Sequence, residues 1–249
     1  MIIIKNHEEI AIMRKAGRIV GETLLLLEKE VKPGITTANL NRMAEEFITK
    51  HGAKPSFKGL YGFPSSLCIS VNEQVIHGFP GSYVLKEGDI VSIDCGASFD
   101  GYHGDAARTF PVGNISVEAH KLIDITKESF FQGIKFAKIG NKLTDISHEI
   151  QSYVEAAGFS VVRDFVGHGI GLRVHEDPNV PNFGKSGRGP KLVEGLVLAI
   201  EPMVNIGTHK VKTLKDGWTV VTADFSLSAH YENTVAILSD GPEILTLIK

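Results

Sequence analysis

Apolar residues recur at helical spacing from the start of the chain. Ile10, Met13, Ile19 and Leu24 mark one face of an amphipathic helix running to about Glu30. Asn6 followed by Glu9 supplies a capping box at its start, and Pro33-Gly34 punctuates its end. A second helix starts near Thr37 and stops at Gly52. The pattern then changes to strands at 67–71 and 89–99. Asp100-Gly101, between apolar flanks, predicts a two-residue hairpin into a strand at about 102–112. Ser116 caps a long helix to about Ala137, and another runs from Thr144 to about Ala157, ended by Gly158. A late strand is expected at 229–238.

One apolar phrase is written twice. Glu87-Gly88-Asp89-Ile90-Val91-Ser92-Ile93-Asp94 returns as Glu194-Gly195-Leu196-Val197-Leu198-Ala199-Ile200-Glu201, 107 residues later. Lys32, Gly34 and Gly52 likewise precede Lys138, Gly140 and Gly158 by 106. Each half reads helix, turn, helix, then strands carrying acids, and no linker or low-complexity segment divides them. The expectation is one domain over 1–249 with an internal duplication, about 1–112 and 113–249. Helices grouped around mainly antiparallel strands make it α+β.

Composition narrows the setting. Hydrophobic residues are 43% and charged residues 22%, as in soluble globular proteins. A net charge of −3 gives no electrostatic argument for nucleic acid or a membrane as the main partner. No apolar run approaches the roughly 20 residues of a membrane span. The N-terminal apolar run is too short for a signal peptide. Cys68 and Cys95 make no disulfide framework and have no CxxC spacing, so a reducing cytoplasm is expected and a cysteine zinc site is not.

The acids carry the chemistry. If Asp100-Gly101 is the hairpin turn, residues whose numbers sum to 201 pair, so Asp94 opposes Ala107. Asp105 then lies diagonally beside Asp94 on the same face. Two carboxylates on one buried face repel, so one stays protonated or a cation sits between them. A turn role for Asp105, after Gly104, is the alternative. The second half offers Glu201 at its strand end and Glu232 in the 229–238 strand. The gap is 31 residues against 11 in the first half, so an insertion separates the pair. That insertion holds Trp218, the only tryptophan; by position alone, core is the commoner fate of such a residue. His168 lies in Gly167-His168-Gly169-Ile170-Gly171, where glycine lets the backbone approach a neighbour closely. His175 follows in His175-Glu176-Asp177-Pro178. A lone histidine is usually structural; these surroundings argue for more. Four carboxylates and one imidazole suit a pair of divalent ions such as Mn, Fe(II) or Co. Paired ions of this kind activate water and polarise a carbonyl, in aminopeptidases among other enzymes.

Those motifs, in their order and spacing, resemble type I methionine aminopeptidases of the pita-bread fold along essentially the whole chain. The likeness is carried by Val75-Ile76-His77-Gly78, Asp94-Cys95-Gly96, Gly104-Asp105-Ala106, the His168 and His175 segments, Ala199-Ile200-Glu201-Pro202-Met203, Lys215-Asp216-Gly217-Trp218 and Tyr231-Glu232-Asn233-Thr234. The resemblance implies a metallo-exopeptidase. Asp94, Asp105, His168, Glu201 and Glu232 would hold two divalent metals (Mn, Co or Fe(II), with Zn also accepted), with Asp105 and Glu232 bridging. A bridging water or hydroxide would attack the carbonyl of an N-terminal methionine, and Glu201 would shuttle protons. His77 and His175 would contact the substrate and stabilise the tetrahedral intermediate. Phe63, Cys68 and Trp218 would line the methionine pocket, where thioether and aromatic surfaces suit each other. The implied substrate is the N-terminal Met of new proteins when the second residue is small, handled by a cytoplasmic monomer working near the ribosome. Leu60, Val174 and Asn233 depart from the family pattern and bear on pocket width and preference.

Two other readings compete. An X-Pro aminopeptidase or prolidase shares the fold but carries a large N-terminal domain. A non-catalytic module would have lost metal ligands, whereas all five are present here.

Overall fold

The first helix, α1 (His7–Glu30), begins at the expected capping box, with Asn6 Oδ1 accepting from the backbone N–H groups of Glu8 and Glu9. It buries Val20 and Leu27 against a sheet that carries both early acids, and Met13 against Ile170, Val197 and Ala236. The computed structural model describes Met1 to Ile248; Lys249, the last residue of the expected domain, lies outside it. Helix α2 spans Thr37–Lys50 and α3 Val117–Ile134, while α4 covers Leu143–Ala156. Helix α3 ends three residues before the expected Ala137. There the N–H groups of Lys135, Phe136 and Ala137 bond three residues back, which tightens the chain out of the helix.

The strands are antiparallel throughout the described pairs and form four sheets. The first joins Leu67–Val71, Ile90–Phe99, Tyr102–Pro111 and the short Lys54–Pro55. The hairpin has the expected register, from Phe99 opposite Tyr102 to Asp94 opposite Ala107. A five-stranded sheet runs Gly241–Ile244, Asn233–Leu238, Val197–Ile200, Gly167–Gly169, Glu176–Val180. Two three-stranded sheets complete the set. One runs Ser228–His230, Met203–Asn205, Ser160–Val161; the other runs Val211–Thr213, Val220–Thr222, Gln74–Ile76.

One expected element is corrected. The strand at 229–238 is two strands, Ser228–His230 and Asn233–Leu238, in different sheets. Tyr231 and Glu232 form the crossing between them. Their partners break at the same level, because Glu201-Pro202 separates Val197–Ile200 from Met203–Asn205. Pro202 has no N–H to continue a ladder; its carbonyl instead accepts from Tyr231 N at 3.2 Å.

The same backbone bonds recur in both halves. Gly34 N donates to Leu85 O and Gly140 N to Leu192 O; Gly88 N donates to Val112 O and Gly195 N to Ile237 O. An internal duplication of one domain would produce such pairs, and we propose that organisation, with halves of about 1–112 and 113–249. The largest apolar cluster packs α1 and α2 on the first sheet, and a second packs α3 and α4 on the five-stranded sheet. Between them the sheets meet edge to edge: Ala107 N donates to Glu232 O, and Glu232 N returns the bond to Ala107 O at 3.0 Å.

Candidate metal centre

Four acids and two imidazoles converge where the sheets meet. Asp94 and Asp105 project from adjacent strands of the hairpin. Glu201 follows its strand directly, and Glu232 sits in the crossing segment. Asp105, Glu201 and Glu232 are buried, and Asp94 is half-buried. His168 stands on the short strand opposite Ala199, which brings it beside Glu201. Its two flanking glycines are needed for contact. A Cβ at Gly167 would lie 2.3 Å from Ala199 O, and one at Gly169 would lie 2.2 Å from Asp177 O. His168 Nδ1 meets Gly169 O at 2.9 Å, which leaves Nε2 turned to Glu201 Oε1 at 3.5 Å. A ring nitrogen tied to a carbonyl while the other faces carboxylates is the usual posture of a metal-binding histidine.

The electrostatics call for a cation. Among the described residues, these carboxylates pair with histidines and with no Lys or Arg side chain. Burial pushes the carboxyl of Asp94 up to about 7. Burial first, then the neighbouring acids, raises Asp105 and Glu232 well above the usual carboxylate range, and Glu201 follows for the same reasons. Burial lowers His168 to about 4, so its ring is neutral and its lone pair free. Asp94 Oδ1, Asp105 Oδ1 and Glu232 Oε1 are buried without a hydrogen-bond partner. Buried polar atoms of this kind are costly unless something satisfies them, and divalent ions would satisfy several at once. Donor atoms of Asp105, His168 and Glu232 all lie within 4.8 Å of one another, as do those of Asp94, His230 and Glu232. The residues present therefore fit a two-ion centre.

The acids floor a cleft of about 570 Å³. One wall is apolar: Phe63 and Cys68 are buried, with Trp218 and Phe79 packed against them. The Phe63 and Trp218 rings meet edge to face at 5.2 Å. Trp218 is thus in the pocket wall rather than the central core. His77 and His175 also line the cleft. Their rings lie 6.4 Å from Trp218 and 4.5 Å from His168, respectively. Burial lowers both, His77 to about 4, so both present neutral imidazoles. Leu60 and Val174 belong to the pocket cluster. Asn233 points away from the cleft, where its Oδ1 accepts from Arg108 Nη2 and Thr246 Oγ1.

Three features of the site lie outside the sequence motifs. Tyr61 stands exposed at the rim and stacks on His175 at 5.9 Å. Lys5 reaches from the N-terminal arm to pair with Glu176, the neighbour of His175. His230 faces Glu232. Only the last had a signal, a histidine two residues from an acid.

Comparison with known proteins agrees with this geometry. The model of metallopeptidase family M24 matches residues 11–239, and the chain belongs to that family. Its α+β architecture is the pita-bread fold. Within the family its likeness is to the methionine aminopeptidases. It is 76% identical to the methionine aminopeptidase of Clostridium perfringens over the whole of both chains. The crystal structure of methionine aminopeptidase from Rickettsia prowazekii superposes with a TM-score of 0.98 at 44% identity, covering 99% of this chain and 100% of that one. Prolidase from Pyrococcus furiosus has a TM-score of 0.81 at 25% identity, but this chain covers only 66% of it.

Proposed function

We propose that the chain is a metal-dependent methionine aminopeptidase that removes the N-terminal methionine of peptides and new proteins when the second residue is small. The carrying observation is the pairing of a buried four-carboxylate, two-imidazole cluster with an adjoining pocket walled by Phe63, Cys68 and Trp218. The prolidase reading is weaker: identity to that relative is 25%, against 76% to the methionine aminopeptidase.

In this reading Asp94, Asp105, His168, Glu201 and Glu232 would hold two divalent ions. The oxygen-rich set accepts Mn, Co, Fe(II) or Zn. Such ions, when bound, supply Lewis acidity toward the scissile carbonyl and lower the pKa of water. The residues do the rest. The apolar wall takes the methionine side chain, whose polarisable sulfur meets aromatic edges. His77 and His175 donate hydrogen bonds toward the carbonyl oxygen as negative charge develops there. Glu201, ionised when cations neutralise the cluster, would accept a proton from the attacking water and pass it to the departing amine. Tyr61, stacked on His175 at the rim, narrows the approach, which limits the second residue to a small side chain. The free buried thiols of Cys68 and Cys95 support a reducing setting, and we place the enzyme in the cytoplasm, as a monomer acting on chains at the ribosome.

The test is to load the protein with Mn(II), Co(II) or Fe(II) and offer Met-Ala, Met-Lys and X-Pro peptides. Methionine release from Met-Ala alone, lost in Asp105→Asn and Glu232→Gln, is the expected result. Equal release from Met-Lys would refute the size rule. No release from any peptide with any metal would refute the enzyme.

A further inference from the structure

His230 is the one imidazole of the cluster for which no role has been given. Its position is fixed by the backbone. The strand Ser228–His230 pairs with Met203–Asn205, placing His230 opposite Met203. Thr109 Oγ1 accepts from His230 N at 2.8 Å and donates to His230 O at 2.9 Å, so the residue is clamped between two sheets. The side chain is 3% exposed, yet Nε2 has no hydrogen-bond partner.

That nitrogen is aimed at acids. It lies 3.7 Å from Glu232 Oε2. Within 4.8 Å of each other stand a ring nitrogen of His230, one oxygen of Glu232 and one of Asp94. Two further buried oxygens here, Asp94 Oδ1 and Glu232 Oε1, also lack partners. A direct bond between His230 and Glu232 Oε2 would leave both of those unsatisfied. A single cation at the centre would satisfy all three residues. Donors each about 2.1 Å from one ion stand roughly 3.0–3.4 Å apart, so the pair needs to close by only a few tenths of an ångström. The His168–Glu201 pair, at 3.5 Å, shows nearly the same spacing on the other side of the cluster.

We propose that His230 Nε2 is a direct ligand of the ion held by Asp94 and Glu232, so that each of the two ions carries one imidazole. The neutral ring binds through the Nε2 lone pair and keeps its proton on Nδ1. Glu232 is then the hinge of the centre, shared by a His230–Asp94 group and a His168–Asp105 group. A nitrogen on both ions shifts the centre toward metals that favour imidazole, such as Zn, Co and Fe(II), and away from Mg. This inference rests on the two-ion reading of the site.

The experiment is X-ray absorption on the full-length protein loaded with two equivalents of Zn(II), with calorimetric titration of Zn(II) alongside. The wild-type protein should show an average of one imidazole per ion. His230→Gln should show half as many and bind one of its two ions about 10–100-fold or more weakly. Wild-type protein that binds two ions with a single imidazole between them overturns the role of His230, whether or not the variant folds. An imidazole count unchanged in His230→Gln overturns it equally. Failure of the wild type to bind any Zn(II), Co(II) or Mn(II) would instead bring down the two-ion centre itself.

Discussion

At the scale of single residues, the proposed centre rests on carboxyls and imidazoles buried side by side. Glu201 illustrates this. Its backbone carbonyl is fixed by Asn182 Nδ2 at 2.9 Å, and its carboxyl is buried beside His168. In the proposed mechanism Glu201→Gln removes a proton acceptor and a ligand together. It is expected to lower kcat by about 10²–10⁴-fold, measured with Met-Ala peptides at saturating metal. Trp218→Ala should act on binding, because the ring walls the pocket and touches no acid. KM for methionyl peptides should rise while affinity for Co(II), read by its absorption spectrum, stays unchanged. Much of this site was legible in the sequence. Period-two alternation put Asp94 and Asp105 on one face, and the register is the one expected. Tyr61 was not legible, since its stacking on His175 joins residues more than a hundred positions apart.

At the scale of elements, the loop that carries His175 is anchored by the N-terminal arm. Lys5 Nζ pairs with Glu176 Oε2 at 2.6 Å, and both side chains are almost wholly buried. Glu176 Oε1 also accepts from Arg173 N at 3.1 Å, closing the loop on itself. Removing one partner strands the other as a buried charge. Lys5→Met should therefore cost about 3–5 kcal/mol in urea unfolding, and the double change Lys5→Met with Glu176→Leu clearly less. A measured cost below about 1 kcal/mol would show that water reaches the pair. Helix α1 meets the Asp105 strand equally closely: a Cβ on Gly104 would lie 2.8 Å from Gly17 N. Gly104→Ala should destabilise by about 1–3 kcal/mol or more, because backbone rather than a flexible side chain must give way. The sequence located these elements from caps and periodicity. It missed the break at Tyr231-Glu232, because no Gly or Pro within 229–238 marks where the chain changes sheets.

At the scale of the whole molecule, the centre is where the two proposed halves join. The Ala107–Glu232 backbone bonds and the Thr234 hydroxyl, which donates to Asp105 O and accepts from Asp105 N, link the first sheet to the second-half strands. Metal bound there should stabilise the fold as a whole, by about 2.7 kcal/mol at a hundredfold excess over its Kd. The stabilisation should depend on pH. Without metal, the four carboxyls are raised above their unfolded values, Asp94 to about 7. Their contribution to stability is fully present below about pH 4 and is lost as pH rises through the folded values. The gap in Tm between metal-loaded and chelator-treated protein should thus widen from pH 5 to pH 8, as read by calorimetry; a constant gap would contradict the raised carboxyls. By itself the sequence determined the helices, the hairpin register, the acids and the family likeness, because caps, turns and alternation are local rules. Only the tertiary structure decided which edges of the two halves meet. That meeting sets Glu232 in a crossing, turns His230 toward Asp94 and places Trp218 in the pocket wall, since such contacts depend on packing between residues far apart in the chain.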